Sequence, residues 1–125
     1  MPRLTLSHPD ELLLRLHWAA ILADHVEADL AITGGVHTAT DVVKCIMAGA
    51  NAAMMASALL RKGIPHVTSI LSDLRRWLEE HEYDSVQQMC GSMSRRSVPD
   101  PTAFERGNYM RVLSSYTFRS SVASK

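Results

Sequence analysis

The stretch DLAITGGVHTATDVVKCIMAGANAAMMAS, from Asp29 to Ser57, decides the fold of this chain. Asp29–Thr33 is a short apolar run that ends at a Gly-Gly pair, which is typical of a buried parallel strand followed by a turn. Thr38 and Asp41 have the spacing of a helix capping box, and apolar residues then recur at helical spacing. Asn51–Ser57 is a second short apolar run. We therefore predict a strand–helix–strand unit with parallel strands.

Helical patterns flank this unit on both sides. Four segments have a helical pattern: Leu12–His25, Val67–Leu78, Ser85–Met93 and Pro101–Leu113. A strand-like run, Leu4–Leu6, precedes the first helix, which Ser7 is placed to cap. Residues 114–125 are rich in serine, so we expect a disordered tail there. Since a parallel sheet needs several strands and only two good ones are present, the chain is best explained as part of a larger domain.

The ends of the two predicted strands form a candidate phosphate site. Gly34 and Gly35 follow the first strand, and glycine lets a ligand approach the backbone without a clash at Cβ. Ala56 and Ser57 end the second strand at the same edge of the sheet, and Ser57 adds a hydroxyl group. Paired strand ends of this kind form the phosphate site of many (β/α)8 barrels. The alternative is that Gly34-Gly35 is only a tight turn.

Composition and charge limit the classes of function. Lys plus Arg and Asp plus Glu both number 13, so no electrostatic argument favours nucleic acid or a membrane surface. No apolar run approaches the roughly 20 residues of a membrane span, and Met1–Leu6 lacks the apolar core of a secretory signal. We therefore expect a cytoplasmic protein with reduced thiols.

Other reactive side chains give weak signals. None of the six histidines has zinc-motif spacing, so we expect no metal site. His37 is better interpreted as an exposed loop residue than as part of a pocket. Cys45 is interpreted as a core residue, and Cys90 as a more open thiol for which no matching base can be named. We expect Trp18 to pack in the first helix.

Three segments of the chain resemble the C-terminal part of dihydroorotate dehydrogenase-like proteins: Asp29–Lys44, Met47–Asn51 and Met54–Leu60. Trp77–Val86 and Gly91–Ser94 resemble the tail that follows this part in one subgroup. The resemblance runs from about Pro2 to Leu113. One departure lies in the first helix, where Leu14–Trp18 reads LRLHW in place of Leu-Pro-Leu-Arg-Trp.

The resemblance implies a fold and a cofactor. It implies that residues 1–113 are the C-terminal portion of an FMN-dependent TIM (β/α)8 barrel, incomplete here and followed by C-terminal helices. It further implies that Gly34 and Gly35 end strand seven, that Ala56 and Ser57 end strand eight, and that their backbone groups hold the FMN phosphate. The family more often has Gly-Thr at the second pair. The family's catalytic base and its orotate-binding residues lie in regions that have no counterpart here.

Three hypotheses follow. The first is a C-terminal fragment of an FMN-dependent oxidoreductase that converts dihydroorotate to orotate in pyrimidine biosynthesis, with no catalytic residue of its own. On this hypothesis the parent enzyme binds a small-molecule substrate, and the fragment alone is inactive and self-associates through exposed barrel edges. The second is a non-catalytic module that binds phosphate and works through a partner. The third is a fragment of another phosphate-binding TIM barrel enzyme.

Overall fold

The computed structural model describes residues 2–94, so the predictions of a helix at Pro101–Leu113 and a tail at 114–125 lie outside it. A 3-10 turn at Pro9–Glu11 precedes the first helix. The regular elements are α1 (Leu12–Leu22), β1 (Ala31–Thr33), α2 (Ala39–Met47), β2 (Ala52–Met54), α3 (Ser57–Lys62), α4 (His66–Glu80) and α5 (Val86–Met89). No helix among the described residues is long and apolar enough to cross a membrane.

The predicted strand–helix–strand unit is confirmed. β1 and β2 pair in parallel, with Ile32 opposite Ala53 and Thr33 opposite Met54. Thr38 caps α2 as its spacing predicts, because its hydroxyl accepts a hydrogen bond from the Asp41 N–H at 3.2 Å. The Asp41 carboxylate accepts one in return from the Thr38 N–H at 3.1 Å. These local bonds fix the start of the crossover helix, and the fold is thus α/β with a small parallel sheet.

Two apolar clusters hold α2 in place. One packs α1 and β1 against α2 and includes Ile32 and the fully buried Cys45, which confirms Cys45 as a core residue. The other joins α2 to α4 and α5 through Val43, Ile46 and Met89. Because α2 contributes to both clusters, it is the central helix of the described chain.

The strands are buried on one face only, so the prediction of fully buried strands is wrong for the described residues. Ile32 is 6% exposed, whereas its neighbours Ala31 and Thr33 are exposed. In β2 the side chain of Met54 is 54% exposed. The helices of residues 2–94 cover one side of this two-stranded sheet, and nothing in that range covers the other. Such a sheet is compatible with part of a TIM barrel.

The N-terminal prediction also needs correction. Leu4–Leu6 is not a strand, and His8 rather than Ser7 caps the first turn, since the His8 side chain accepts from the Asp10 N–H. The α1 helix ends at Leu22 rather than His25, and Trp18 is 52% exposed on it instead of packed.

The last described helix is shorter than predicted. α5 covers Val86–Met89 instead of Ser85–Met93. Ser85 is its N-cap, with its hydroxyl accepting from the Gln88 N–H at 3.2 Å. The helix ends where Cys90 adopts ψ of 124°, and Gly91 then turns the chain with φ of +75°, a conformation that suits glycine.

Candidate functional site

The Gly34–Gly35 pair and the Ala56–Ser57 pair lie at one edge of the sheet. Because the strands are parallel and Thr33 is opposite Met54, both chains leave the sheet at the same edge. Gly34 and Gly35 follow β1 directly, as the sequence predicts. Ala56 and Ser57 do not end the second strand, however. The strand stops at Met54, Ala56 is the N-cap of α3, and Ser57 is the first residue of that helix.

Both glycines adopt a backbone conformation that other residues rarely adopt. Gly34 has φ of +89° and Gly35 has φ of +83°. A Cβ on Gly35 would lie 2.6 Å from the Leu12 backbone nitrogen and 3.1 Å from the His8 carbonyl oxygen. A Cβ on Gly34 would instead meet the Arg15 guanidinium, whose Cζ, Nε and Nη2 atoms would all lie at 2.9 Å. Gly35 is therefore needed for the approach of the N-terminal segment, whether or not the edge binds a ligand.

The N-terminal segment joins the two strand ends through Ser7. The Ser7 N–H donates to the Ser57 hydroxyl oxygen at 2.9 Å. The Ser7 carbonyl oxygen lies 3.1 Å from Nε2 of His37, so that ring nitrogen carries the proton and donates it. A contact between residues 50 positions apart thus holds Ser57 in place.

His37 is buried at 6% exposure, so its interpretation as an exposed loop residue is wrong. Its N–H donates to the Asp41 carboxylate at 3.0 Å, and its carbonyl oxygen accepts from Nε2 of His66 at 2.9 Å. The ring of His37 thus hydrogen-bonds to Ser7, and its backbone hydrogen-bonds to Asp41 and His66. These contacts stabilise the edge of the sheet. The sequence gives no signal for this role, since it depends on residues distant along the chain.

This edge of the sheet offers hydrogen-bond donors. The buried N–H of Gly35 has no acceptor among residues 2–94. The Ser57 oxygen accepts from Ser7, which leaves the hydroxyl proton of Ser57 free to donate. The Arg15 guanidinium lies against Gly34 at the same edge. Such a set of donors matches an anion better than a metal ion or an electrophile.

In the part of the chain that the structure describes, metal and thiol chemistry have no comparable site. Within residues 2–94, no group of three or more His, Cys, Asp or Glu side chains is placed to hold a metal ion. Burial, and secondarily the Asp41 carboxylate, raises the pKa of the Cys45 thiol from 9.0 to about 11, so it stays protonated and unreactive at neutral pH. Cys90 is half-buried and its sulfur donates to the Ala50 carbonyl oxygen at 3.5 Å. Both cysteines are free thiols.

Comparison with known proteins gives two partial similarities, and no family model matches the chain. Over 70 residues, the chain is 31% identical to the catalytic subunit of dihydroorotate dehydrogenase B (NAD+) from Pyrococcus furiosus. The aligned segment covers 56% of this chain and 23% of that protein. Over 63 residues, it is 33% identical to the same subunit from Thermoplasma acidophilum, covering 50% of this chain and 21% of that protein. The similarity thus spans less than a quarter of either relative. It supports a relationship to dihydroorotate dehydrogenase-like proteins.

Proposed function

We propose that this chain is the C-terminal part of an FMN-dependent oxidoreductase of the dihydroorotate dehydrogenase type, and that it anchors the phosphate of FMN. The observation that carries the proposal is the register of the sheet, which brings the Gly34–Gly35 turn and the start of α3 to one edge. The partial similarity to two dihydroorotate dehydrogenase B catalytic subunits supports the same assignment. On this proposal the parent enzyme acts in pyrimidine biosynthesis.

The donors at the edge fit a phosphate group. The N–H of Gly35 is buried without an acceptor in the described chain, which is a costly state that a bound anion would relieve. Gly34 and Ala56 would contribute backbone groups, and Ser57 its hydroxyl proton. FMN, when bound, accepts a hydride and carries the redox chemistry. The residues of this chain bind and orient its phosphate, and the chain alone does not catalyse.

The remaining parts of the assignment are proposals about the whole polypeptide. We propose that residues 1–113 belong to the closing part of an FMN barrel. A preceding strand of the same polypeptide would cover the free edge of β1, where α1 exposes Leu14, Trp18 and Leu22. Without that strand, the apolar edge favours self-association of the chain.

The experiment uses a longer polypeptide that includes the coding sequence upstream of and in frame with Met1. That protein should purify with bound FMN. FMN retention is measured as the flavin absorbance that remains with the protein after dialysis. Ser57→Ala should weaken FMN retention by roughly tenfold or more, because a hydrogen bond to a charged group contributes about 1.5–3 kcal/mol. Ser57→Thr, which keeps the hydroxyl, is the matched control and should retain FMN. Equal retention by all three proteins would refute the role of Ser57.

A non-catalytic module that binds phosphate remains the second candidate. The polar contacts at the edge favour it, because Ser7, His37 and Ser57 assemble within this chain alone. A monomeric and soluble 125-residue chain, with no upstream sequence in frame with Met1, would favour this candidate over the first. Analytical ultracentrifugation of the purified chain gives the oligomeric state directly.

A further inference from the structure

The side chain of Arg15 lies at the edge where the phosphate site is proposed. α1 begins at this edge, since the Leu12 nitrogen approaches Gly35 closely, and Arg15 follows less than one turn later. The guanidinium lies against Gly34, in the space that the Cβ of any other residue at that position would enter. Its Nη1 atom donates to the Glu11 carbonyl oxygen, which fixes the direction of the group.

The charge of Arg15 has no carboxylate partner among the described residues. Glu11 precedes Arg15 by four residues, a spacing at which acidic and basic side chains commonly pair on a helix. The Glu11 carboxylate is instead bonded to the His8 N–H at 3.2 Å, as part of the cap of the first turn. No other carboxylate of residues 2–94 lies within ion-pair distance of Arg15. No described carboxylate therefore neutralises the positive charge of the guanidinium at the end of β1.

We propose that Arg15 is a further phosphate-binding residue of this site. The inference rests on the proposed function, because it assigns a cationic ligand to the same phosphate group. One guanidinium nitrogen is held by Glu11, and the remaining N–H groups can form the paired hydrogen bonds that phosphate oxygens accept from arginine. The backbone of the glycine turn and the Ser57 hydroxyl would then contact the anion from one side and Arg15 from the other.

A purely structural role for Arg15 is the competing explanation. The guanidinium could serve only to cover the Gly34 backbone, and its charge would then be irrelevant. The two roles differ in their response to a phosphate-bearing probe. They also differ in what a neutral side chain of similar size does, since glutamine preserves much of the contact and removes the charge.

The test is a nitrogen-15 NMR titration of the full 125-residue chain. The probes are FMN, inorganic phosphate, and riboflavin, which is the flavin without its phosphate. We expect FMN and phosphate to shift the Arg15 Nε signal and the Gly34, Gly35 and Ser57 amide signals, and riboflavin to leave them unchanged. Binding is expected to be weak, because the described chain gives the flavin ring no enclosing wall.

Two substitutions and one control complete the design. Arg15→Gln should weaken the affinity for FMN and for phosphate by roughly tenfold or more, since it removes a charged hydrogen-bond donor. Arg15→Lys keeps the charge but loses the geometry for paired hydrogen bonds. Its affinity for FMN and phosphate should therefore fall between those of the unmodified chain and Arg15→Gln. Arg76→Gln is the matched control, because Arg76 lies on α4 and pairs with Asp73 there. It should bind FMN as the unmodified chain does.

The outcomes separate this inference from the proposed function. If Arg15→Gln binds FMN and phosphate as tightly as the unmodified chain, the role of Arg15 is refuted and the phosphate site at the glycine turn stands. If neither probe shifts Gly34, Gly35 or Ser57 in the unmodified chain at millimolar concentration, the phosphate site itself is refuted, and the role of Arg15 with it. A riboflavin response equal to that of FMN would also overturn the inference, since it would place binding on the ring.

Discussion

Replacement of Gly35 by alanine tests the close approach of the N-terminal segment to the glycine turn. The new Cβ would lie 2.6 Å from the Leu12 nitrogen and 3.0 Å from the Leu12 Cβ, and backbone atoms cannot move aside as a flexible side chain can. A left-handed conformation costs a non-glycine residue about 1–2 kcal/mol. Overpacking typically costs about 1–3 kcal/mol more. Gly35→Ala should therefore lower the free energy of unfolding by roughly 2–5 kcal/mol.

Gly63→Ala separates the two contributions. Gly63 has φ of +85°, nearly the same as the +83° of Gly35. Its Cβ would meet nothing closer than the Pro65 Cδ at 3.6 Å, which is ordinary contact. With ψ of 165°, Gly63 lies in a region that is essentially restricted to glycine, so Gly63→Ala should lose only the conformational part, about 1–3 kcal/mol. A larger loss for Gly35→Ala than for Gly63→Ala would indicate the steric cost of the close approach.

Urea denaturation followed by circular dichroism gives both free energies. Equal losses for Gly35→Ala and Gly63→Ala would refute the close approach of Leu12 to the turn. The same reasoning affects tests of flavin binding. Gly35→Val in the longer polypeptide would destabilise the fold as well as obstruct the proposed phosphate site, so a loss of flavin in that variant would not assign a role to Gly35.

Four further predictions concern the core, the cap and the thiols. Ile46→Ala should lower the free energy of unfolding by about 2–5 kcal/mol, whereas Leu13→Ala, at a side chain 74% exposed, should change it little; urea denaturation of both decides this. Thr38→Ala should cost about 1 kcal/mol by removing the cap of α2, seen as a fall in melting temperature, and an unchanged melting temperature would contradict the cap. At pH 8 a thiol reagent should modify Cys90 and spare Cys45 until urea is added. Because the Cys45 pKa is raised from 9.0 to about 11, its contribution to stability is complete below pH 9 and is lost as the pH rises towards 11, which urea denaturation across this range measures against Cys45→Ala.

Local sequence patterns were sufficient to predict the strand–helix–strand unit. The capping box needs only the spacing of Thr38 and Asp41, and both of its hydrogen bonds form within four residues. The burial of Cys45 follows from its position on the apolar face of α2. The parallel pairing follows because a helix of this length connects the strands. In each case the deciding interactions lie close together in the sequence.

The errors arise where distant residues decide the structure. Ser7 is a good capping residue by type, but its N–H bonds to Ser57, and His8 caps the turn instead. His37 is polar and follows a glycine turn, yet Ser7 and His66 bury it. An apolar strand predicts that a cover exists but not which residues supply it, so the exposed face of β1 could not be foreseen. The sequence also gives no reason to connect Arg15 with Gly34.

The hydrogen bond from Ser7 to Ser57 has a consequence for the order of folding. Contacts between distant residues form more slowly than local ones, because the loss of chain entropy on closing the intervening loop comes before the contact stabilises anything. The bond closes a separation of 50 residues, whereas the cap of α2 spans three. We expect the crossover helix to form early and the edge that carries the proposed phosphate site to form late. During synthesis on the ribosome, the edge cannot assemble until Ser57 has left the exit tunnel.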